Sequence, residues 1–218
     1  MTHEHTETPL PEEFGAEYWD GRYASSERIW SGNPNPALVT EAADLAPGRA
    51  LEVGSGEGAD TLWLAERGWE VTAIDISAVG LEKAAAHAAG RSPEAAARIT
   101  WRQADLTVWA PPEGAYDLVT AHYLHFHPKV RAVVFPALAD AVAPDGTLLL
   151  VSHALRDLAD GVPRPPWPEM FHTAEEMADL LPGERWAMVT LEERPRTAVY
   201  DGVEYTIHDL VVHARRRV

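Results

Sequence analysis

The stretch LEVGSGEGAD, residues 51–60, decides the fold of this chain. A short apolar run with one acid, Glu52, leads into three alternate glycines, Gly54, Gly56 and Gly58. This pattern is typical of a β-strand that enters a glycine loop and then opens a helix. Because glycine carries no side chain, the backbone of such a loop can approach a ligand closely, near the positive end of the helix dipole. The stretch therefore predicts a ligand site at the end of a strand.

Apolar strand-like runs alternate with helical stretches on both sides of this loop. The alternation predicts a parallel sheet that is covered by helices on both faces. Asp201-Gly202 favours a tight turn and joins the last two runs into a hairpin. The sequence thus predicts an α/β fold with a Rossmann-like, doubly wound, seven-stranded sheet, mostly parallel with a C-terminal antiparallel hairpin strand. The predicted strands are 50–53, 70–75, 99–103, 116–121, 147–153, 186–193 and 205–214, and the predicted helices are 12–24, 36–45, 59–67, 77–89 and 173–181.

The length and composition indicate a single domain over residues 1–218. With 218 residues, of which 46% are hydrophobic, the chain can bury one sizeable core. Within it we predict a mobile arm at 1–11, an N-terminal helical cap at 12–48 and a Rossmann-like core at 49–218. His3 and His5 lie in the arm, where we expect them to be solvated rather than to act as ligands.

The charge balance excludes several classes of partner. Acidic residues outnumber basic ones by 34 to 18, so the formal net charge is −16 and the mean field repels nucleic acids and anionic lipid surfaces. No apolar run is long enough for a membrane span, and the N-terminal residues do not resemble a signal peptide. We expect a cytoplasmic protein, monomeric or homodimeric, with a small-molecule substrate and no nucleic-acid or membrane partner. The chain has no cysteine, which excludes thiolate metal sites and cysteine nucleophiles.

A second acid, Asp75, closes the next predicted strand at the place where a carboxylate accepts hydrogen bonds from ribose hydroxyls. The glycine spacing is G-x-G-x-G, whereas dinucleotide sites favour G-x-G-x-x-G. Glu52 would repel a phosphate but would attract an ammonium or sulfonium group. S-adenosylmethionine carries both of these cations, so the residues favour it as the cofactor. A nicotinamide-dependent oxidoreductase and a non-catalytic cofactor-binding protein stay open as alternatives.

Five motifs resemble those of the class I S-adenosylmethionine-dependent methyltransferases in order and spacing. They are LEVGSGEGAD, VTAIDIS, QADL, YDLVTAHYLHF and APDGTLLLVSH, and the stretch that they span, residues 51–153, is about half of the chain. The N-terminal YWDGRYASSERIWSGNPNP resembles the small-molecule branch that includes tellurite-resistance and thiopurine-type methyltransferases. This resemblance implies methyl transfer from S-adenosylmethionine to an S, N or O nucleophile of a small molecule, with S-adenosylhomocysteine as the product.

The resemblance also implies roles for individual residues of the cofactor site. It places Gly54 and Gly56 against the methionine part of the cofactor and Asp75 on the ribose. Ser55 stands where many relatives carry cysteine, a neutral change because the backbone does the binding. The further positions that the resemblance assigns to the cofactor are Ile76 at the adenine face, Asp105 and Leu106 at the adenine edge, the Thr120 carbonyl near the methionine amine, and Trp19, Arg22 and Trp30 as cavity-lining residues. The alternatives are core packing for Trp19 and Trp30, a surface ion pair for Arg22 and a solvated helix cap for Asp105.

The acceptor is expected at the segment AHYLHFHP, which follows the fourth predicted strand. In-line methyl transfer requires the enzyme to position an acceptor and to exclude water, and a base helps where the acceptor must lose a proton. His122, Tyr123 and His125 are the candidate catalytic residues, with packing or helix capping by the histidines as the alternative. The H-x-x-H-x-H spacing that ends at His127 matches no common metal motif, so we predict no metal site.

The remaining candidates lie in the C-terminal third of the chain. His153 is a possible cavity residue at the end of the fifth predicted strand, and RPPWPEMF, with Trp167 and Phe171, predicts either a lid over the substrate or an ordinary packed loop. His208 and Asp209 are adjacent on a predicted strand and therefore face opposite sides, so we expect no His-Asp dyad but a solubilising or helix-facing role.

Overall fold

A seven-stranded sheet organises the computed structural model, which describes residues 14–218. The arm predicted at 1–11, with His3 and His5, lies outside the described residues. The strands are β1 Arg49–Val53, β2 Glu70–Asp75, β3 Ile99–Gln103, β4 Tyr116–His122, β5 Val142–His153, β6 Trp186–Tyr200 and β7 Val203–Arg216. They lie in the order β3-β2-β1-β4-β5-β7-β6. Strands β1 to β5 are parallel, and β7 pairs antiparallel with both β5 and β6. The predicted fold class is confirmed.

Helices cover the sheet, and polar caps mark where several of them begin. The helices are α1 Ala16–Ala24, α2 Pro36–Ala42, α3 Ala59–Glu66, α4 Ala78–Arg91, α5 Pro93–Ala96, α6 Pro128–Ala141, α7 Arg156–Ala159 and α8 Ala174–Leu180. The side chains of Asn35, Ser77 and Thr173 accept hydrogen bonds from the first backbone N–H groups of α2, α4 and α8. No helix within residues 14–218 is long and apolar enough to cross a membrane.

The two faces of the sheet are buried in two separate apolar clusters. Along β5, Leu148 and Leu150 pack in the cluster that includes helix α6, whereas Leu149 and Val151 pack in the cluster that includes α2 and α3. This alternation follows from the two-residue period of a strand. The carboxyl ends of β1, β2, β4 and β5 consequently meet at one edge of a sheet that is covered on both sides.

Several element bounds differ from the prediction. Strand β5 begins at Val142 rather than at 147, because Val142 pairs with Tyr116 across a register shift. The Pro-Asp-Gly sequence that precedes residue 147 is therefore part of the strand, and its Asp145 has a φ of 62°. Helix α1 begins at Ala16, and α2 ends at Ala42. The short helices α5 and α7 were not predicted, and the bounds of α6 were not predicted either. The hairpin turn at Asp201-Gly202 is confirmed, with φ values of 49° and 78°.

Candidate active site

The glycine loop leaves the carboxyl end of β1 and leads into α3. Gly54 and Gly56 have φ values of 71° and 52°, a region that side chains disfavour. A Cβ atom at Gly54 would lie 2.6 Å from the Leu124 side chain, and one at Gly56 would lie 2.7 Å from the Tyr23 hydroxyl. The buried Ser55 hydroxyl has no hydrogen-bond partner within residues 14–218. The loop thus combines a backbone without side chains and an unpaired hydroxyl group, as expected of a ligand-binding loop.

The Asp75 carboxylate holds the glycine loop against the end of β2. Its two oxygens accept hydrogen bonds from the Gly56 N–H and the Ser77 N–H, each at 2.8 Å. Burial raises the pKa of Asp75, although hydrogen bonds from backbone N–H groups oppose this effect. Because each carboxylate oxygen can accept a second hydrogen bond, Asp75 keeps acceptor capacity for two hydroxyl groups.

Glu52 lies in β1, just before the glycine loop, and is almost completely buried. Its carboxyl accepts a hydrogen bond from the Thr61 hydroxyl of α3. Burial, followed by the nearby charge of Asp60, raises the pKa of Glu52 well above its usual range. Burial therefore favours the uncharged form of this carboxyl group, and its contact in the structure is the hydroxyl of Thr61.

The residues expected at the adenine follow β2 and β3. The Ile76 carbonyl accepts a hydrogen bond from the Gln103 amide at 3.0 Å, which ties the two segments together. One oxygen of Asp105 accepts from both the N–H and the hydroxyl of Thr107, at 2.8 and 2.7 Å. Asp105 therefore begins a turn, and its other carboxylate oxygen is available to accept a hydrogen bond from a ligand. Leu106 follows it at the same edge of the sheet.

Helix α1 and the segment after it cover the glycine loop. The Arg22 guanidinium lies over the rings of Trp19 and Trp30, at 5.8 and 5.4 Å. The Trp30 ring N–H donates to the hydroxyl of Tyr23, whose ring is buried against the loop. The Glu57 carboxylate accepts the Trp30 backbone N–H at 3.1 Å. The cap is thus fastened to the loop at several points, and Trp30 is half exposed rather than part of the core.

His122 lies in a chain of hydrogen bonds at the end of β4. Its Nδ1 is 2.6 Å from the Asp60 carboxylate, and its Nε2 is 2.8 Å from the hydroxyl of Thr120. Asp60 also accepts the Asn35 N–H at 2.5 Å. Both imidazole nitrogens are therefore engaged, which favours a role in fixing β4 and α3 over proton transfer.

Tyr123 follows β4 with a φ of 55°, an uncommon conformation for a bulky residue. Its ring stacks on His153 with 4.4 Å between centroids, and its hydroxyl accepts a hydrogen bond from Arg196 of β6 at 3.0 Å. Burial, followed by the charge of Asp209, raises the pKa of Tyr123. Tyr123 is thus uncharged at physiological pH, and it acts as a packing residue rather than as a base.

His125 lies two residues after Tyr123 on the same segment, among the rings of His153, Phe171 and His172. Its ring centroid is 5.2 Å from that of His153, 5.6 Å from that of Phe171 and 6.4 Å from that of His172. Its Nδ1 is 3.4 Å from the Met170 carbonyl, which assigns the hydrogen to Nδ1 and leaves Nε2 as an acceptor. Burial lowers the pKa of His125 to about 4, so the imidazole is uncharged at neutral pH.

The other histidines of the sequence hypothesis do not join this cluster. His127 caps α6, where its Nδ1 accepts the Lys129 N–H at 3.5 Å, as the capping alternative predicts. His208 pairs with Asp157 at 3.1 Å, and Asp209 pairs with Arg196 at 2.5 Å. His208 and Asp209 thus have separate partners and form no dyad. The helix-facing role is confirmed for His208, because Asp157 lies in α7, whereas a solubilising role is wrong for Asp209, which is buried and binds a guanidinium.

The predicted lid segment RPPWPEMF touches the segment that precedes α1. The Phe14 ring, just before α1, lies 5.8 Å from the ring of Trp167 in an edge-on contact. Arg164 of the proline-rich segment binds Asp157 at 2.7 Å and the Tyr200 hydroxyl at 2.9 Å. The segment is therefore anchored at both ends, and it carries Phe171 into the buried cluster.

Five residues of the site were missed by the sequence analysis, namely Tyr23, Asp60, Arg164, His172 and Arg196. Asp60 is the last residue of LEVGSGEGAD and lies in the first turn of α3. An acid at that position, next to the glycine loop, could have identified it as a candidate site residue. No local pattern marks the other four, because contacts with residues distant in sequence bring them to the site.

Comparison with known proteins agrees with this geometry. Residues 50–146 match the family described as a methyltransferase domain. The chain is 29% identical over 191 residues to thiocyanate methyltransferase 1 of Brassica oleracea, covering 85% of this chain and 80% of the relative. It is 25% identical over 150 residues to probable thiol methyltransferase 2 of Arabidopsis thaliana, covering 66% and 65%. A solved structure concerned with the conversion of a disulfide bond into a thioacetal group during echinomycin biosynthesis aligns with a TM-score of 0.70 and 26% identity, over 93% of this chain and 92% of that chain.

Proposed function

Because the chain belongs to the class I S-adenosylmethionine-dependent methyltransferases, we propose that it methylates the sulfur atom of a small thiol. The chain is a methyltransferase of small molecules with S-adenosylmethionine as its cofactor, an assignment that replaces the oxidoreductase and non-catalytic alternatives. The choice of sulfur is supported by relatives named for thiocyanate and for thiols. A cytoplasmic location stays a prediction.

The residues present fit this cofactor. The backbone of Gly54 and Gly56 is bare, the buried Ser55 hydroxyl is unpaired within residues 14–218, and Asp75 keeps acceptor capacity. In our proposal the glycine loop holds the methionine part, Asp75 the ribose and the segment around Leu106 the adenine. When bound, S-adenosylmethionine supplies an electrophilic methyl group on a positively charged sulfur.

The observation that carries the thiol proposal is the unpaired Nε2 of His125. This atom is buried and has no hydrogen-bond partner within residues 14–218. It sits on the segment whose Leu124 contacts the glycine loop, so an acceptor bound to it lies next to the cofactor site. A thiol S–H donates to Nε2, while the rings of Tyr123 and Phe171 keep water away.

Proton transfer to His125 follows bond formation at sulfur. A thiol has an ordinary pKa of about 8.5, so early transfer to a base with a pKa of about 4 would be uphill by about 6 kcal/mol. A lone pair of the acceptor sulfur would form the new S–CH3 bond while the bond between the methyl group and the sulfonium breaks, its electron pair staying on the sulfur of the departing S-adenosylhomocysteine. The S–H proton of the methylated acceptor would then be strongly acidic. The S–H electron pair then stays on the acceptor sulfur, the proton passes to Nε2, and at neutral pH the weakly basic imidazole releases it to solvent.

The test is methylation of small thiols by the wild-type protein and by His125→Gln. Because the proton leaves only after the S–CH3 bond has formed, the variant should lose the hydrogen bond that positions the thiol, and kcat/KM for thiols should fall about tenfold without a change in the affinity for S-adenosylmethionine. His127→Asn is the matched control, because this exposed histidine only caps α6. Methyl products are identified by mass spectrometry. Turnover of phenols or amines, with none of any thiol, would overturn the sulfur assignment.

A further inference from the structure

Three buried imidazoles lie together at the carboxyl ends of β4 and β5, and two of them have no assigned role. His172 is nearly completely buried, with its ring edge-on to Phe135 at 4.8 Å between centroids. His172 pairs with Ala154 just beyond β5, and its ring lies 6.4 Å from that of His125. Three ring nitrogens of this group have no hydrogen-bond partner within residues 14–218, namely Nε2 of His125, Nδ1 of His153 and Nε2 of His172.

Unpaired nitrogens of this kind are costly to keep. A buried polar atom without a partner loses about 1–3 kcal/mol relative to a paired one, and native proteins bury few of them. Asp209 lies 3.9 Å from His153 Nδ1, a distance that one water or a small shift can bridge. Within residues 14–218, no hydrogen-bonding group pairs with the Nε2 of His172. Of the three nitrogens, this one would therefore gain most from a hydrogen bond to a ligand.

The backbone that carries His172 is held in place. Arg131 of α6 donates to the carbonyls of Glu169 and Phe171 at 3.0 and 3.2 Å. The same guanidinium binds Glu176 of α8 at 2.9 Å. The imidazole is therefore pre-organised by a buried arginine whose charge, after burial itself, lowers the pKa of His172 to about 3. A fixed, uncharged imidazole is suited to a single directed hydrogen bond.

His125 and His172 are attached at different distances from the glycine loop along the sheet. His125 follows Leu124, which contacts Gly54, and leaves β4, the strand next to β1. His172 is attached beyond β5, one strand further away. A hydrogen bond spans about 2.9 Å, so one small molecule with two polar atoms a few bonds apart can reach both rings.

We propose that His172 is a specificity-determining residue, whose imidazole binds a second polar group of the acceptor while His125 binds the reacting sulfur. The inference rests on the proposed thiol methylation. It names the acceptor class as small thiols that carry a hydroxyl or another hydrogen-bonding group about three bonds from sulfur. Alkyl thiols of the same size lack that group and leave the His172 nitrogen unpaired.

The test compares two acceptors of nearly equal size, 2-mercaptoethanol and 1-propanethiol, on three variants. In the wild type, kcat/KM should favour 2-mercaptoethanol about tenfold. His172→Phe should abolish this preference by raising KM for 2-mercaptoethanol alone, with kcat and cofactor affinity unchanged. His172→Asn, which keeps a polar group, should restore part of the preference, and the exposed His127→Asn should keep all of it. Binding of both thiols to protein saturated with S-adenosylhomocysteine gives a readout that is independent of turnover.

Two results would overturn the inference, and they are distinguishable. If the wild type and His172→Phe show the same preference, His172 does not bind the acceptor, but thiol methylation stands. If the wild type methylates neither these thiols nor any other, the proposed function fails and the inference fails with it. Should His172→Phe not fold, as judged by circular dichroism, His172→Leu supplies the second apolar replacement.

Discussion

Acid should destabilise this protein through its buried histidines before its carboxylates are titrated. Burial lowers the pKa of His125 to about 4 and that of His172 to about 3, from an ordinary value of 6.5. In the unfolded chain both histidines take up a proton as the pH falls below about 6.5. The folded chain keeps them uncharged, so the unfolded state binds more protons and stability falls as the pH falls. The loss begins near pH 6.5 and ends near the two folded-state values.

The expected size follows from these values. At pH 5, which is about 1.5 pH units below the ordinary histidine value, each residue costs about 2 kcal/mol relative to pH 8, because about 1.4 kcal/mol corresponds to one unit. Replacing His172 by phenylalanine removes one of the two contributions. The packing consequences of the new ring are the same at both pH values and cancel in the difference.

The assay is urea denaturation of the wild type and of His172→Phe at pH 8 and at pH 5. The decrease in the free energy of unfolding between the two pH values should be smaller by about 2 kcal/mol in the variant. His127→Asn, at an exposed cap, should show the wild-type decrease. Equal pH dependence in the wild type and His172→Phe would refute the reasoning, since it would mean that His172 titrates alike in the folded and unfolded chains.

Two further predictions concern the buried acids at the glycine loop. Asp75→Asn replaces one acceptor oxygen by an N–H donor that faces a backbone N–H, so calorimetry should show S-adenosylmethionine affinity lowered by about 2 kcal/mol, roughly 30-fold; unchanged affinity would remove Asp75 from the cofactor site. Glu52 has a raised pKa, so its contribution to stability is lost as the pH rises through its folded-state value. Glu52→Gln should therefore melt higher than the wild type at pH 9 but not at pH 4, and equal melting at both would contradict the buried acid.

The sequence predicted the strand-loop-helix geometry around Gly54 and Gly56 well because that geometry is determined by local signals. The glycine spacing, the acid at the end of β2 and the Asp-Gly turn each impose a backbone conformation within a few residues. The structure has Gly54, Gly56 and Asp75 within one hydrogen-bonded unit, as a strand-loop-helix pattern requires. The bounds of β2 and β3 also agree, since both strands are short apolar or alternating runs flanked by clear breaks.

Long-range contacts explain what the sequence could not predict. His122 is joined to Asp60, 62 positions earlier, and Tyr123 to Arg196, 73 positions later. Neither pairing changes the local periodicity of its strand. The early start of β5 has a similar cause, because pairing with Tyr116 outweighs the turn preference of the Pro-Asp-Gly sequence.

The acceptor half of the site, as proposed here, includes parts of the chain that lie outside the family match. His125 lies within residues 50–146, whereas His153, Phe171 and His172 lie beyond them, and all four meet around one buried cluster. A sheet of this kind presents the cofactor at a fixed edge, but its acceptor pocket is completed by loops that can change without disturbing the core. Substitutions in the proline-rich segment should therefore change the preference among acceptors, measured as kcat/KM, while the affinity for S-adenosylmethionine stays the same. For this reason His172, rather than a residue of the glycine loop, is where the choice of acceptor can be tested.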